Sequence, residues 1–92
     1  MRVTWSPAAL REIALAVDYL TEFNPRAATR LAEALLAAGD ILAHFPHRGR
    51  RMPGTDMRQL LTAFPYTIRY RIVPGEVRIL RIRHTSRRAP DP

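Results

Sequence analysis

Between Pro65 and Arg88 the chain reads PYTIRYRIVPGEVRILRIRHTSRR, with arginine recurring where a strand would ordinarily carry aliphatic residues, and with His84 followed closely by Arg87 and Arg88. A histidine among guanidinium groups is a set that could act on a phosphodiester. Cleaving RNA through its 2′-hydroxyl needs a group to take that proton, a group to return one to the leaving 5′-oxygen, and cations for the phosphorane. His84 is the candidate acid or base; Arg58, Arg71, Arg81, Arg83 and Arg87 are the candidate phosphate clamps. Strict alternation puts Arg81 and Arg83 on the face of Val77 and Ile79, and His84 on the face of Arg78, Leu80 and Ile82. Unless the strand bulges, His84 and Arg81 are therefore separated, which weakens a combined catalytic set. The competing reading of His84 is a strand-end histidine bonded to backbone. His44 and His47 flank Phe45-Pro46 at a helix end, where a cation suits the macrodipole better than chemistry.

A second cationic group is Arg48, Arg50 and Arg51, three of four successive positions in a loop. In the strand after Pro65, Arg69 and Arg71 share one face while Tyr66, Ile68, Tyr70 and Ile72 share the other, so the tyrosines read as core. The expected binding surface is thus Arg48, Arg50, Arg51, Arg69, Arg71, Arg81, Arg83, Arg87 and Arg88. No group of residues has metal-ligand spacing, no glycine-rich phosphate loop is present, and no cofactor is implied.

These residues must be positioned by a small scaffold. At 92 residues the chain is expected to be one domain, 1–92, burying about 60–65% of its unfolded surface. With 47% hydrophobic and 25% charged residues it reads as globular, apart from Ala89-Pro90-Asp91-Pro92, which is expected to be disordered. It has no cysteine, hence no disulfide and no thiolate metal site. The opening MRVTWSPAAL has no apolar signal core and no 18-residue apolar run occurs, so neither secretion nor a membrane is expected, and a cytoplasmic chain fits. The net charge of +7 is unevenly placed: residues 1–47 carry four arginines against five acids, while residues 48–92 carry eleven against three. All fifteen basic residues are arginine, whose planar fork suits phosphate and carboxylate. Acidic partners follow: nucleic acid, a phosphate-rich complex or an acidic protein.

Arg2–Trp5 reads as a strand, after which Ser6-Pro7 supplies an N-cap and a first-turn proline. The helix that follows has Leu10, Ile13, Ala14, Val17 and Leu20 on one stripe, with Phe23 ending it. Asn24-Pro25 repeats the device and starts a second helix with stripe Ala28, Leu31, Leu35, Ala38, Leu42 and Phe45. So short a connection makes an antiparallel helical hairpin. Residues 46–54 form a loop and residues 57–62 a strand. Val73-Pro74-Gly75-Glu76 then makes a type II turn within a β-hairpin. The expected fold is α+β in the order β-α-α-β-β-β, with the helical hairpin on one face of a small antiparallel sheet. Leu15, Leu36 and Ile41 lie off the helix stripes and are expected to be exposed, forming a patch for a partner helix.

The order and spacing of Trp5, Ala8 and Leu10, of Asn24-Pro25 with Ala27-Ala28, of Pro46, Gly49 and Arg50, and of Arg58 with Leu60 and Leu61 resemble the RelE/ParE family of bacterial type II toxins. Pro65-Tyr66, Tyr70-Arg71, Ile79-Leu80 and the closing His84, Arg87 and Arg88 continue the match, which spans roughly residues 3–88. The resemblance implies a growth-inhibiting toxin, of a class linked to plasmid stabilisation, held inactive by a cognate antitoxin whose C-terminal segment wraps it. A ParD-like partner in a hetero-oligomer would cover Leu15, Leu36 and Ile41 and neutralise Arg71 and Arg81. The ParE-like branch is implied to bind DNA gyrase; the RelE-like branch cuts messenger RNA on the ribosome, with Arg58, Arg81, His84 and Arg87 as its candidate residues. RelE-like nucleases tend to offer lysines and a late tyrosine. This chain has no lysine and no tyrosine after Tyr70, which favours the gyrase-binding expectation.

Overall fold

Two proline-led helices and five strands make up residues 1–85, which are the residues described by the computed structural model. Strand β1 (Arg2–Trp5) leads to α1 (Pro7–Thr21), and α2 (Pro25–His44) follows after a three-residue connection. Ser6 Oγ accepts from the Ala9 amide at 3.0 Å and donates to the Leu80 carbonyl at 2.8 Å, so one hydroxyl both caps α1 and ties it to the sheet. Asn24 Oδ1 caps α2 through the Ala27 amide at 3.1 Å. The remaining strands are β2 (Arg50–Arg51), β3 (Met57–Leu61), β4 (Tyr66–Val73) and β5 (Glu76–His84), in the sheet order β1-β5-β4-β3-β2. Gly75 has φ of 76° in the β4–β5 turn, as the Pro-Gly pair requires.

Both helices pack on one face of the sheet, α1 against β5 and α2 against β1 and β5. The core joins Leu31, Leu35, Ala38 and Leu42 of α2 to Ile68 and Tyr70 of β4 and Val77, Ile79 and Ile82 of β5, with Ala9 from α1. The α2 stripe is therefore as expected except at its end, where Phe45 is exposed. On α1 the buried side is rotated: Ala9, Ile13, Ala16, Val17 and Leu20 face inward, whereas Leu10 and Ala14 are exposed. Alanine at positions 8, 9, 14 and 16 lets either side of this helix pass as apolar, and the close approach to β5 selects the narrower one.

The sheet is mixed, not wholly antiparallel. β1 runs parallel to β5, with Val3 opposite Val77 and Trp5 opposite Ile79. The reason is β2, which lies inside the segment expected to be loop and pairs antiparallel with β3 through Arg50–Gln59 and Arg51–Arg58. That one extra reversal of the chain turns an antiparallel end pairing into a parallel one.

Tyr70 holds β2 in place. Its hydroxyl donates to the Pro46 carbonyl at 2.7 Å and accepts from the Gly49 amide at 2.8 Å. A Cβ on Gly49 would lie 2.6 Å from the Tyr70 hydroxyl, so glycine is needed for this approach. Arg58 Nη1 donates to the Gly49 carbonyl at 2.8 Å from the neighbouring strand. Burial raises the Tyr70 hydroxyl above its ordinary pKa, against the opposing pull of the Gly49 amide and the Arg58 charge. Tyr70→Phe strands two buried backbone groups and is expected to destabilise the protein by about 2 kcal/mol, read as a lower midpoint in urea unfolding.

Candidate functional site

The candidate arginine surface is set by an irregularity in β5. Tyr70 pairs with Ile79 but Arg69 pairs with Arg81, so Leu80 is an extra residue in the strand. Before it, Val77 and Ile79 face the helices; after it, Ile82 and His84 do. Arg81 and Arg83 are thereby turned to the open face, opposite to the side that simple alternation from Val77 assigns them. Arg78, which alternation groups with His84, lies on the open face too. Because the bulge precedes both residues, Arg81 and His84 remain on opposite faces.

Residues directly opposite in a ladder share a face, so the registers give the open face row by row. One row runs Arg50, Gln59, Arg69, Arg81; the next runs Met57, Arg71, Arg78, Thr4; a third holds Leu61, Thr67 and Arg83. Two like-charged pairs, Arg69–Arg81 and Arg71–Arg78, thus stand across from each other, an arrangement that repels unless anions intervene. Three of these arginines have a carboxylate in the chain. Asp56 Oδ2 lies 2.9 Å from Arg71 Nε, though out of line with its N–H. Glu76 takes Arg78 at 3.0 Å, Arg2 at 3.5 Å and the Thr4 hydroxyl at 2.7 Å. Glu12 reaches over from α1 to Arg81, 2.7 Å from Nη2 and 3.0 Å from Nε, and accepts the Ile82 amide at 2.8 Å.

Glu12 closes a junction. Strand β1 covers β5 only from Glu76 to Ile79, so beyond that point the edge of β5 is met by Ser6 and Glu12 instead. Burial works to raise the Glu12 carboxyl, but hydrogen bonds from Arg81 and the Ile82 amide, together with the charges of Arg81 and Arg83, hold it below its ordinary value. Arg50, Arg69 and Arg83 have no ion pair among the described residues. Arg69 Nε is buried without a hydrogen-bond partner.

The other expected site residues are dispersed. His84 is half-buried on the helix side with its ring edge-on to Tyr66, centroids 4.9 Å apart. Arg58 is on that same side but opposite Tyr70, four residues along β4 from the Tyr66–His84 pair, or about 13 Å at the rise of a strand. Its guanidinium is engaged by the Gly49 carbonyl. Arg58, Arg81 and His84 are therefore not brought to one point. Arg48 and Arg51 are exposed beside β2, with Arg51 opposite Arg58. Arg87, Arg88 and the 89–92 tail lie outside the described residues. Among the described residues there is no cluster of three or more metal-ligating side chains, and no helix is long and apolar enough to cross a membrane.

On the helical side Leu15, Leu36 and Ile41 are 63%, 48% and 40% exposed, as their off-stripe positions imply. Sequence reasoning missed Tyr19 and placed Phe23 at the end of the buried stripe; both are exposed, continue Leu15 at four-residue spacing, and pack with tilted rings, centroids 5.1 Å apart. That spacing was the available signal. Leu15 and Tyr19 also border a groove of roughly 420 Å³ between α1 and the end of β5, lined further by Ala16, Tyr66 and Ile82 and rimmed by Glu12, Arg83 and His84.

Residues 3–89 match the family described as the ParE toxin of the type II toxin–antitoxin system parDE. The chain is 43% identical to a Caulobacter vibrioides protein named toxin RelE2, over 94% of this chain and 97% of that one. It is 34% identical to the putative toxin Y4kP of Sinorhizobium fredii, over 97% and 93%. A structure titled as a chromosomal ParDE system from P. aeruginosa superposes with a TM-score of 0.81 at 20% identity, covering 91% of this chain and 95% of that one, a likeness of fold.

Because the Glu12 carboxyl is held below its ordinary value of 4.5, its contribution is complete above that pH and is lost as pH falls through the lower folded value. Glu12→Gln is expected to lower stability by about 1 kcal/mol at neutral pH. The gap between parent and variant should narrow progressively as pH is lowered below 4.5, measured by urea unfolding along a pH series.

Proposed function

This chain belongs to the RelE/ParE family of type II toxin–antitoxin toxins, and from that premise we propose that it arrests growth by binding DNA gyrase through the open, arginine-bearing face of its sheet. The observation that carries the reading is the separation across the sheet. Arg69, Arg71, Arg78 and Arg81 are presented on one side and His84 faces the helices on the other, with Arg83 at the strand end bordering the groove that His84 also rims. A cationic surface whose neighbouring carboxylates, Glu12, Asp56 and Glu76, are each taken up in an ion pair with arginine is suited to binding more than to the proton transfers that cleavage needs. Arg50, with Arg48 before it, extends the target surface at the β2 edge, whereas Arg51, opposite Arg58, shares the helix side; Arg87 and Arg88 are further candidates.

The toxin acts in the cytoplasm, where a ParD-like antitoxin in a hetero-oligomer covers the helical side. Leu15, Leu36 and Ile41, with Tyr19 and Phe23, offer the apolar contact that an amphipathic helix would bury. An acidic segment passing the end of β5 would meet Arg81 and, further along, Arg71. A second reading, ribosome-dependent cutting of messenger RNA by Arg58, Arg81, His84 and Arg87, draws its support from relatives named RelE toxins.

Inducing the chain without its antitoxin and following plasmid supercoiling alongside transcript 5′ ends separates the two. Loss of supercoiling without codon-phased cuts is expected; codon-phased cuts with normal supercoiling would contradict the gyrase reading. In the same strain His84→Ala should leave growth arrest largely intact, whereas Arg81→Glu should relieve it. A folded His84→Ala chain that is wholly inactive would transfer the assignment to the nuclease.

A further inference from the structure

The arginines of the open face are not equally neutralised. Asp56 and Glu76 sit beside the Arg71–Arg78 row, and Glu12 serves Arg81. Arg50 and Arg69, which flank Gln59 in one row, and Arg83 in the adjacent row have no ion pair among the described residues, although Arg83 lies close enough to Glu12 to act on its charge. Arg50 and Arg69 are two strands apart, about 10 Å at the spacing of a sheet, and Arg83 is on the next strand. Arg69 Nε is buried without a hydrogen-bond acceptor among the described residues, so the charge of its guanidinium is not discharged within the fold.

The surroundings of these cations narrow the ligand. No aromatic residue stands in the three rows: the tyrosines of β4 both face the helices. Single-stranded nucleic acid is gripped largely by stacking on aromatic side chains, which this part of the sheet does not offer. What it offers is a broad array of guanidinium groups on a regular backbone, which suits the phosphates of a duplex and reads no bases.

We propose that the Arg50–Gln59–Arg69 row, with Arg83 beside it, binds the phosphodiester backbone of duplex DNA without sequence preference. The inference rests on the gyrase reading and deepens it: the toxin addresses the enzyme while it holds DNA and contacts the DNA itself. Gln59 contributes a neutral hydrogen-bonding group between the two cations, and Glu76 and Asp56 bound the site on the far rows by repelling phosphate.

The test is fluorescence anisotropy of a short labelled DNA duplex of mixed sequence titrated with the full chain, repeated between about 50 and 200 mM salt. Three unpaired arginines should give a slope of about −3 in log affinity against log salt. Arg69→Gln should weaken binding several-fold and reduce the slope by about 1. Arg50→Gln, at an exposed edge position where the fold cannot be at stake, should do the same, while Arg30→Gln on α2 should bind as the parent does. No binding at the lowest salt, a parental slope in both row variants, or tighter binding of the corresponding single strand would overturn the proposal. Running the same proteins in a gyrase supercoiling reaction keeps the two claims apart. Inhibition without duplex binding sinks the DNA contact alone, and duplex binding without inhibition sinks the gyrase reading while the contact stands.

Discussion

One extra residue, Leu80, decides what this protein presents to its surroundings. Side chains alternate along a strand, so a single insertion exchanges the two faces for everything that follows it. Without it, the alternation that buries Val77 and Ile79 would carry Arg81 and Arg83 into the helix-packed core and expel Ile82. With it, Ile82 completes the core and the arginines stand on the open side. The irregularity is secured from α1: Ser6 takes the Leu80 carbonyl and Glu12 takes the Ile82 amide. Glu12 also binds the Arg81 guanidinium, so one carboxylate satisfies the edge of the strand and partly discharges the surface that the bulge creates.

Local chemistry made much of the fold legible. Ser6-Pro7, Asn24-Pro25 and Pro74-Gly75 each carry a conformational requirement within a few residues, and each begins or turns an element where expected. Features that depend on distant partners were not legible. The buried side of α1 is chosen by β5, because its alanines make two faces equally acceptable locally. β2 exists because Gly49 and Pro46 meet the hydroxyl of Tyr70, more than twenty residues away. The direction of β1 follows from that strand in turn. The Leu80 bulge has no local signature, since VRILRIRH alternates plausibly in either phase.

The same division holds for the site. The composition and the arginine spacing announce a cationic face, and Arg69, Arg71, Arg81 and Arg83 do share it. Which of those charges remain available is a tertiary matter, fixed by Asp56 from a turn, Glu76 from across the sheet and Glu12 from a helix. His84 and Arg58 lie on the other side, where one meets Tyr66 edge-on and the other ties down the β2 segment. The two faces therefore suit different partners: an apolar helical side for a protein that covers it, and a charged sheet side for an acidic target.

Whether the open sheet face engages gyrase is read from supercoiling of relaxed plasmid by purified gyrase in the presence of the parent chain or Arg50→Glu. Inhibition by the parent and little or none by the variant at the same concentration is expected. Equal inhibition by both, or none by either, would contradict binding through this face.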